Sequence, residues 1–253
     1  MSRCVLITGA TGGIGGALAQ AYAEPGVTLI LQGRKADRLA ELAAQCESLG
    51  ARVLTQTLDV RDRVALTEWL RAVSVTEAPD LVIVNAGVNT NIGPDGRGEP
   101  WDEVEALIEV NVLAAMATVD AVLPAMRARG HGQIALISSL AAWFGLPVTP
   151  SYCASKAAVK AYGEALRGWL APEGIRVNVV MPGYVDSAMC SAMPGPKPLL
   201  WSPERAARTI RRRLARNSAR ITFPFPLDWG SWWLTVLPAA ISTRIVGWIG
   251  YRD

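Results

Sequence analysis

Cys4-Val5-Leu6-Ile7-Thr8-Gly9-Ala10-Thr11-Gly12-Gly13-Ile14-Gly15-Gly16 is an apolar run that breaks into a glycine-rich turn and then opens a helix-forming stretch. Glycines between a first strand and a first helix permit a tight turn and let backbone N–H groups approach a pyrophosphate, whose charge then lies at the helix N-terminus. Such a turn alone is equally an ordinary strand-to-helix connection. Its place after the first strand of a regular pattern gives it weight.

Five further apolar runs follow: VTLILQ (27–32), RVLTQ (52–56), DLVIV (80–84), QIALIS (133–138) and RVNVVM (176–181). Helical stretches at 36–49, 61–73, 101–129 and 151–170 separate them. Strands apolar on both faces and alternating with helices predict a parallel sheet covered on both sides. The expected architecture is a Rossmann-type, doubly wound α/β fold in three α/β/α layers. The chain has 253 residues, 51% hydrophobic and 19% charged, which permits a sizeable core and excludes disorder as its main state. A single domain is expected, with a catalytic core over 1–200 and a C-terminal extension over 203–253 belonging to it. Stretches 89–100 and 182–203, rich in glycine and proline, read as loops; the segment 184–202 is the expected substrate loop.

Four scattered cysteines, Cys4, Cys46, Cys153 and Cys190, have no metal-ligand spacing, so no metal site and a reducing compartment are expected. MSRCVLITG enters the fold without a basic or apolar leader, which argues against secretion and for the cytoplasm.

At the end of the second strand an NAD site usually carries an acidic residue for the ribose 2′-hydroxyl. Here the chain reads Gln32-Gly33-Arg34-Lys35, with Asp37 the nearest acid. Arg34 and Lys35 offer a cationic fork for a 2′-phosphate, which favours NADPH and leaves NAD possible; two solvated charges at a helix start are the plainer alternative.

Tyr152 and Lys156 are four apart, on one helix face, and Ser139 closes the preceding strand. A tyrosine is a poor acid at neutral pH unless a nearby cation favours its phenolate, and Lys156 is placed to be that cation. In isolation the pair would be a half-buried tyrosine and a solvated lysine.

Together these motifs resemble the short-chain dehydrogenase/reductase family, in its form with a TGxxxGxG loop and a YxxxK site, over about residues 3–187. The resemblance implies a cofactor loop of Gly9, Thr11, Gly12, Gly13, Ile14 and Gly15, an adenine-contacting Asp59 beside Val60, and the turn Asn85-Ala86-Gly87. It adds Pro182, Gly183, Val185 and Ser187, the last where a threonine is commoner, as cofactor contacts. It implies a catalytic set of Asn111, Ser139, Tyr152 and Lys156, with Tyr152 and Lys156 also touching the cofactor. Ser139 would bind the substrate carbonyl, Tyr152 would protonate it, and Asn111 would link Lys156 to solvent through water. Ser139 is preferred to Ser138 because the family sets its serine thirteen positions ahead of its tyrosine. His131 reads as a loop residue and Cys153 as packing.

The C-terminus departs from the family, many of whose members end in a strand and a short tail. Residues 199–253 hold nine basic and three acidic residues and five of the nine tryptophans. Ala207, Ile210 and Leu214 form one helical stripe against seven arginines between 205 and 220. No nucleic-acid module accompanies them. They read as a solvated helix face or as a membrane-surface helix. The charge-free run 229–243, broken by Pro238, is too short to span a bilayer; an interfacial anchor, a dimer patch and a tail folded on its own core are the alternatives. Membrane-surface contact through 205–250, on the inner face of a membrane, is the favoured expectation.

The expected function is an NADPH-dependent carbonyl reductase acting on a small molecule, with a lipophilic 3-oxoacyl, ketosphingoid or steroid-like ketone entering past 184–201 and Trp143-Phe144. The alternatives are an NAD(P)-linked dehydrogenase acting on a sugar or polysaccharide precursor, and a nucleotide-binding scaffold or redox sensor. A homodimer through the helices 101–129 and 151–170 is expected by analogy with the family.

Overall fold

The computed structural model describes residues 3–93 and 95–249. Met1 and Ser2 of the N-terminal run, Pro94 of the first loop, and residues 250–253 at the end of the extension lie outside the described residues. Seven strands form one all-parallel sheet: β1 (Arg3–Ile7), β2 (Val27–Gly33), β3 (Arg52–Thr57), β4 (Leu81–Val84), β5 (Gly132–Ile137), β6 (Ile175–Pro182) and β7 (Arg220–Phe223). Their order is 3-2-1-4-5-6-7. The order reverses between β1 and β4, so the crevice beyond their carboxyl ends is where such a sheet takes a ligand.

Ten α-helices accompany the described strands: α1 (Gly13–Tyr22), α2 (Ala36–Ser48), α3 (Arg63–Thr76), α4 (Trp101–Ile108), α5 (Ala114–Arg129), α6 (Pro150–Leu170), α7 (Ala188–Ala192), α8 (Pro203–Ala215), α9 (Leu227–Val236) and α10 (Ala239–Trp248). Strand side chains alternate between two cores, because successive residues point to opposite faces. Val5, Ile7, Leu29 and Leu31 join α1, α2 and α8 on one side, while Leu6, Ile30 and Val82 join α3, α5 and α6 on the other. This is the three-layer arrangement that the alternating pattern predicts.

The six predicted strands are all present. The expectation that the chain lacks a closing strand is wrong: Arg220–Phe223 pairs with β6 and extends the sheet. Only Ile221 and Phe223 of that strand are buried apolar residues, and Trp201 stacks on Phe223 at 4.9 Å to cover it.

The basic helix also differs from the membrane-surface expectation. Ala206, Ala207, Ile210 and Leu214 of α8 are fully buried in the core against α1. Arg211 donates to the Ala21 carbonyl and pairs with Glu24 at 2.8 Å, and Arg205 lies 4.0 Å over the Trp201 ring. Arg213 donates to the Thr222 carbonyl of β7 at 3.2 Å, so this cationic helix has found its partners within its own chain, with Arg208 and Arg212 exposed.

Among the described residues only 101–129 is long and apolar enough to cross a membrane, with mean hydropathy 1.8. Its apolar side faces the sheet, where Leu107, Val119, Val122, Leu123 and Met126 are buried. Between α4 and α5 this rod contains a π-helical turn, Glu109–Leu113, which carries Asn111. Such turns insert an extra residue and re-aim side chains, often at functional sites.

The extension beyond β7 is a helical hairpin. α9 and α10 turn back on each other at Leu237-Pro238, and the Ser242 hydroxyl donates to the Leu234 carbonyl at 2.8 Å. Val246 and Leu234 pack with Val148, Phe144, Leu146, Tyr184 and Met193. The hairpin therefore folds onto the chain's own loops on one side.

Candidate active site

The turn after β1 is built by hydrogen bonds from its neighbours. Gln32, buried at the end of β2, accepts the Gly9 N–H at 3.0 Å and donates to the Leu58 carbonyl at 2.6 Å. The Thr8 hydroxyl accepts the N–H groups of Asn85 and Ala86 at 3.0 and 3.2 Å, and the Asn85 amide donates to the Thr8 and Gly9 carbonyls. Gly9 has φ +64°, and a Cβ there would lie 2.7 Å from the Ala86 Cα. Both conformation and space therefore require glycine. This lattice fixes the loop Gly9–Gly15 against Asn85-Ala86-Gly87 at the topological crevice.

One cleft of about 570 Å³ runs from this turn to the catalytic candidates. Gly9, Thr11, Gly12, Gly13, Ile14, Arg34, Lys35, Asp59, Val60, Asn85, Ala86, Gly87, Ser139, Tyr152, Lys156, Pro182, Gly183, Val185 and Ser187 all line it. Gly15 and Asn111 do not; Gly15 packs under the turn beside Gly9 and Asn85, and Asn111 lies behind Gly87. At one end Arg34 and Lys35 are exposed, and among the described residues no ion pair engages them. Arg38, missed in the sequence, joins them in the cleft lining, whereas Asp37 does not line it. The signal for Arg38 was its place in the first turn of α2, directly after the Arg34-Lys35 pair. Asp59 is held below the usual carboxylate range, first by its hydrogen bonds from the Arg61 guanidinium.

At the other end the serine, tyrosine and lysine converge. Ser138 is buried and donates to the Lys156 carbonyl at 2.7 Å, so it anchors α6 to β5. Ser139 caps the following turn through the Ala141 N–H and hydrogen-bonds Tyr152. The Lys156 ammonium donates to the Ile137 carbonyl at 3.1 Å and lies 5.6 Å from the Tyr152 ring centre. Burial pushes Lys156 down to about 8. Burial pushes Tyr152 up to about 12, and the hydrogen bond from Ser139 only partly opposes it. Against the expectation that Lys156 draws the phenol toward ionisation, desolvation is the largest effect on Tyr152 and holds its proton in place.

Asn111 accepts the Val88 N–H at 2.8 Å and donates to the Val88 carbonyl and the Ser155 hydroxyl. A Cβ on Gly87 would lie 3.3 Å from Asn111 Oδ1 and 3.4 Å from Lys156 Nζ, so a bare backbone separates the two polar groups. Cys153 is buried and accepts the Leu146 N–H, and His131 is exposed in its loop, as expected of a packing residue and a loop residue. No cluster of metal-ligating side chains occurs among the described residues.

The substrate end holds what the motifs could not reveal. Phe144 lines the cleft, but Trp143 does not; its ring lies instead between Lys160 and Arg220, at 4.6 and 5.2 Å. Tyr184, Met189, Cys190 and Met193 come from the predicted substrate loop, and Leu227, Ser231, Leu234, Val246 and Ile249 come from the α9–α10 hairpin.

Comparison with known proteins agrees with this geometry. The short chain dehydrogenase family profile matches residues 3–195. An uncharacterized oxidoreductase of Myxococcus xanthus is 35% identical over 237 residues, 93% of either chain. The NADP-dependent 3-hydroxy acid dehydrogenase YdfG of Salmonella typhi is 31% identical over 245 residues, covering 96% of this chain and 92% of its own. A short-chain dehydrogenase from Sphingobium yanoikuyae in complex with NADPH superposes with TM-score 0.78 at 25% identity, covering 97% of this chain and 92% of that one. With the sheet order, the cleft and these matches together, the chain belongs to the short-chain dehydrogenase/reductase family and is an NAD(P)-dependent oxidoreductase.

Proposed function

We propose that the protein is an NADPH-dependent carbonyl reductase that converts a lipophilic ketone to a secondary alcohol. The observation that carries this reading is one cleft joining the exposed cations Arg34, Lys35 and Arg38, the glycine turn, and Ser139, Tyr152 and Lys156. The donor set fits the cofactor: backbone N–H groups at a helix start for the pyrophosphate, and cations that no ion pair engages among the described residues for a 2′-phosphate. Gly9, Thr11–Gly15, Val60, Asn85–Gly87 and Pro182–Ser187 would hold it around that path. When bound, NADPH supplies hydride to the carbonyl carbon.

The chain's own residues do the rest. Ser139 donates a hydrogen bond to the carbonyl oxygen, and Tyr152, un-ionised at neutral pH, gives that oxygen its proton. Lys156 stabilises the phenolate left behind. Asn111 holds the Val88 backbone and the α6 hydroxyl of Ser155, which fixes the approach to Lys156. The core 1–200 and the extension 203–253 act as one unit, in a reducing cytoplasmic compartment, as a homodimer pairing the α4–α5 rod (101–129) and α6.

Calorimetry tests the cofactor assignment. Wild type is expected to bind NADPH more tightly than NADH, and Arg34→Ala to lose about 10- to 100-fold of NADPH affinity with NADH unaffected, the worth of a charge-assisted hydrogen bond. Arg34→Ala/Arg38→Ala covers substitution of one cation by the other. Equal affinities in wild type would sink the NADPH reading.

The outer side of α9–α10 supports membrane-surface contact, now without α8. Trp229 is 61% exposed, Trp233 48% and Trp248 81%, and Arg244 is the sole charge between 229 and 249. Tryptophan rings with a cation and no acid suit an anionic bilayer surface. Wild type is expected to sediment with phosphatidylglycerol vesicles and Trp229→Ser/Trp233→Ser/Trp248→Ser to remain in solution. A wild type that ignores vesicles, while the triple variant changes mass by light scattering, would make the patch a dimer contact instead.

A further inference from the structure

The cleft's charged lining is confined to its cofactor and catalytic parts. Among the described residues, Arg34, Lys35, Arg38 and Asp59 sit at the nucleotide end and Lys156 at the catalytic centre, and the segments 144–146, 184–198 and 227–249 contribute no charged side chain to the lining. Leu227, Ser231 and Leu234 lie at i, i+4 and i+7 on α9 and so share one helical face. Of these, Ser231 already donates its hydroxyl to the Leu227 carbonyl at 2.8 Å, leaving the face effectively apolar. Val246 of α10, 2% exposed, packs with Phe144, Leu146 and Met193 to close the wall, and Ile249, just past the end of α10 and 50% exposed, lines its rim.

We propose that the α9–α10 hairpin is the substrate-selecting wall of the enzyme: it forms a chamber for an extended, uncharged apolar arm on the ketone, with Leu234 and Ile249 setting the preference. Among the described residues the cation that acts on Cys190 at this end is Lys197, from outside the lining, so a free carboxylate on a buried arm would be desolvated without a cation in the wall and ketones ending in a charge are disfavoured. The inference rests on the carbonyl-reduction reading and names its substrate class.

The test uses full-length protein with NADPH and the methyl ketones from 2-butanone to 2-decanone, with 9-oxodecanoate as the charged counterpart. The expected kcat/KM rises about 3- to 4-fold for each methylene that enters the chamber, the worth of burying one CH₂. 9-Oxodecanoate is expected to be at least about 100-fold poorer than 2-decanone. Leu234→Asn and Ile249→Asn should each flatten the series, and Val236→Asn, on the exposed side of α9, should leave its slope unchanged. A flat wild-type series, a charged ketone as good as 2-decanone, or slopes indifferent to both the Leu234 wall variant and the Ile249 rim variant would overturn the proposal.

A second readout separates it from the reading beneath it. Calorimetric binding of 2-butanol to 2-decanol to the NADP⁺-loaded protein should show the same chain-length slope and the same loss in Leu234→Asn. That slope without turnover of any ketone keeps the chamber and removes the reductase; turnover without the slope removes the chamber alone.

Discussion

Tyr152→Phe is expected to lose about three orders of magnitude in kcat on any ketone the wild type reduces, while NADPH affinity changes by less than about threefold. A positioned general acid contributes on the order of 10²- to 10⁴-fold, and phenylalanine removes the proton while keeping the ring. Burial pushes the phenol up to about 12, so the tyrosine carries its proton throughout the neutral range. Ser139 stays in place in the variant because its hydroxyl still accepts the Ala141 N–H at 3.2 Å. Ser138, which ties α6 to β5, does not involve the phenol at all. Single-turnover reduction and cofactor calorimetry on the same preparation give the two numbers. Residual turnover within tenfold of wild type would assign the proton to another group. A scaffold or sensor would bind cofactor and keep its cellular role in this variant, which separates that class from an enzyme.

What the sequence disclosed depends on how local each signal is. The glycine turn, Tyr152 with Lys156, and the six apolar strands are defined by spacing within one or two elements, and periodicity reads such patterns well. β7 escaped because it has four residues, only two of them buried, and lies between an arginine-rich helix and a Phe-Pro-Phe-Pro run. Its place in the sheet comes from pairing with β6 and from the Trp201 ring, which are both tertiary. The α8 stripe of Ala207, Ile210 and Leu214 was visible, but what it packs against was not. Amphipathic periodicity gives a face and never its partner; here α1, brought close by the winding of the sheet, covers the stripe.

The same limit applies to the site. Asn111 could be assigned through its motif, but not the π turn that aims it at Val88 and Ser155. The tryptophan-rich extension signalled only an apolar surface. That one side of it closes the substrate end of the cleft, leaving the tryptophans on the other, follows from a hairpin whose two helices are short and whose core lies in loops far away in sequence. The protonation of Tyr152 is hidden from the sequence for a related reason: spacing places a cation near a phenol, but the balance between that cation and desolvation depends on burial, which spacing does not contain.

Lys156→Met is expected to abolish ketone turnover and, in the cofactor-free protein, to raise stability. Lys156 is 4% exposed, has the Ile137 carbonyl as its hydrogen-bond acceptor, and is pushed down to about 8 from a usual 10.5 by burial. A lysine whose folded pKa is depressed binds its proton more weakly folded than unfolded. Below pH 8 it is charged in both states and the full penalty is present; as pH rises from about 8 towards 10.5 the folded chain sheds the proton first and the penalty fades. At roughly 1.4 kcal/mol per unit that penalty is on the order of 3 kcal/mol. Methionine removes it at similar volume but strips the Ile137 carbonyl of its donor, costing about 1 kcal/mol. The net gain at pH 7 should be about 2 kcal/mol, a rise in Tm of about 4–8 °C for a chain of this length. Thermal melts of both proteins from pH 7 to 10 read the difference directly, since the cysteines and Tyr152 titrate in both and cancel. The gap should narrow as pH rises. A variant that melts lower than wild type at pH 7, or a gap that widens with pH, would mean that Lys156 is held by the fold as a favourable contact. A stabilised, inactive Lys156→Met would place it among groups kept at a cost to folding because the chemistry needs a desolvated cation.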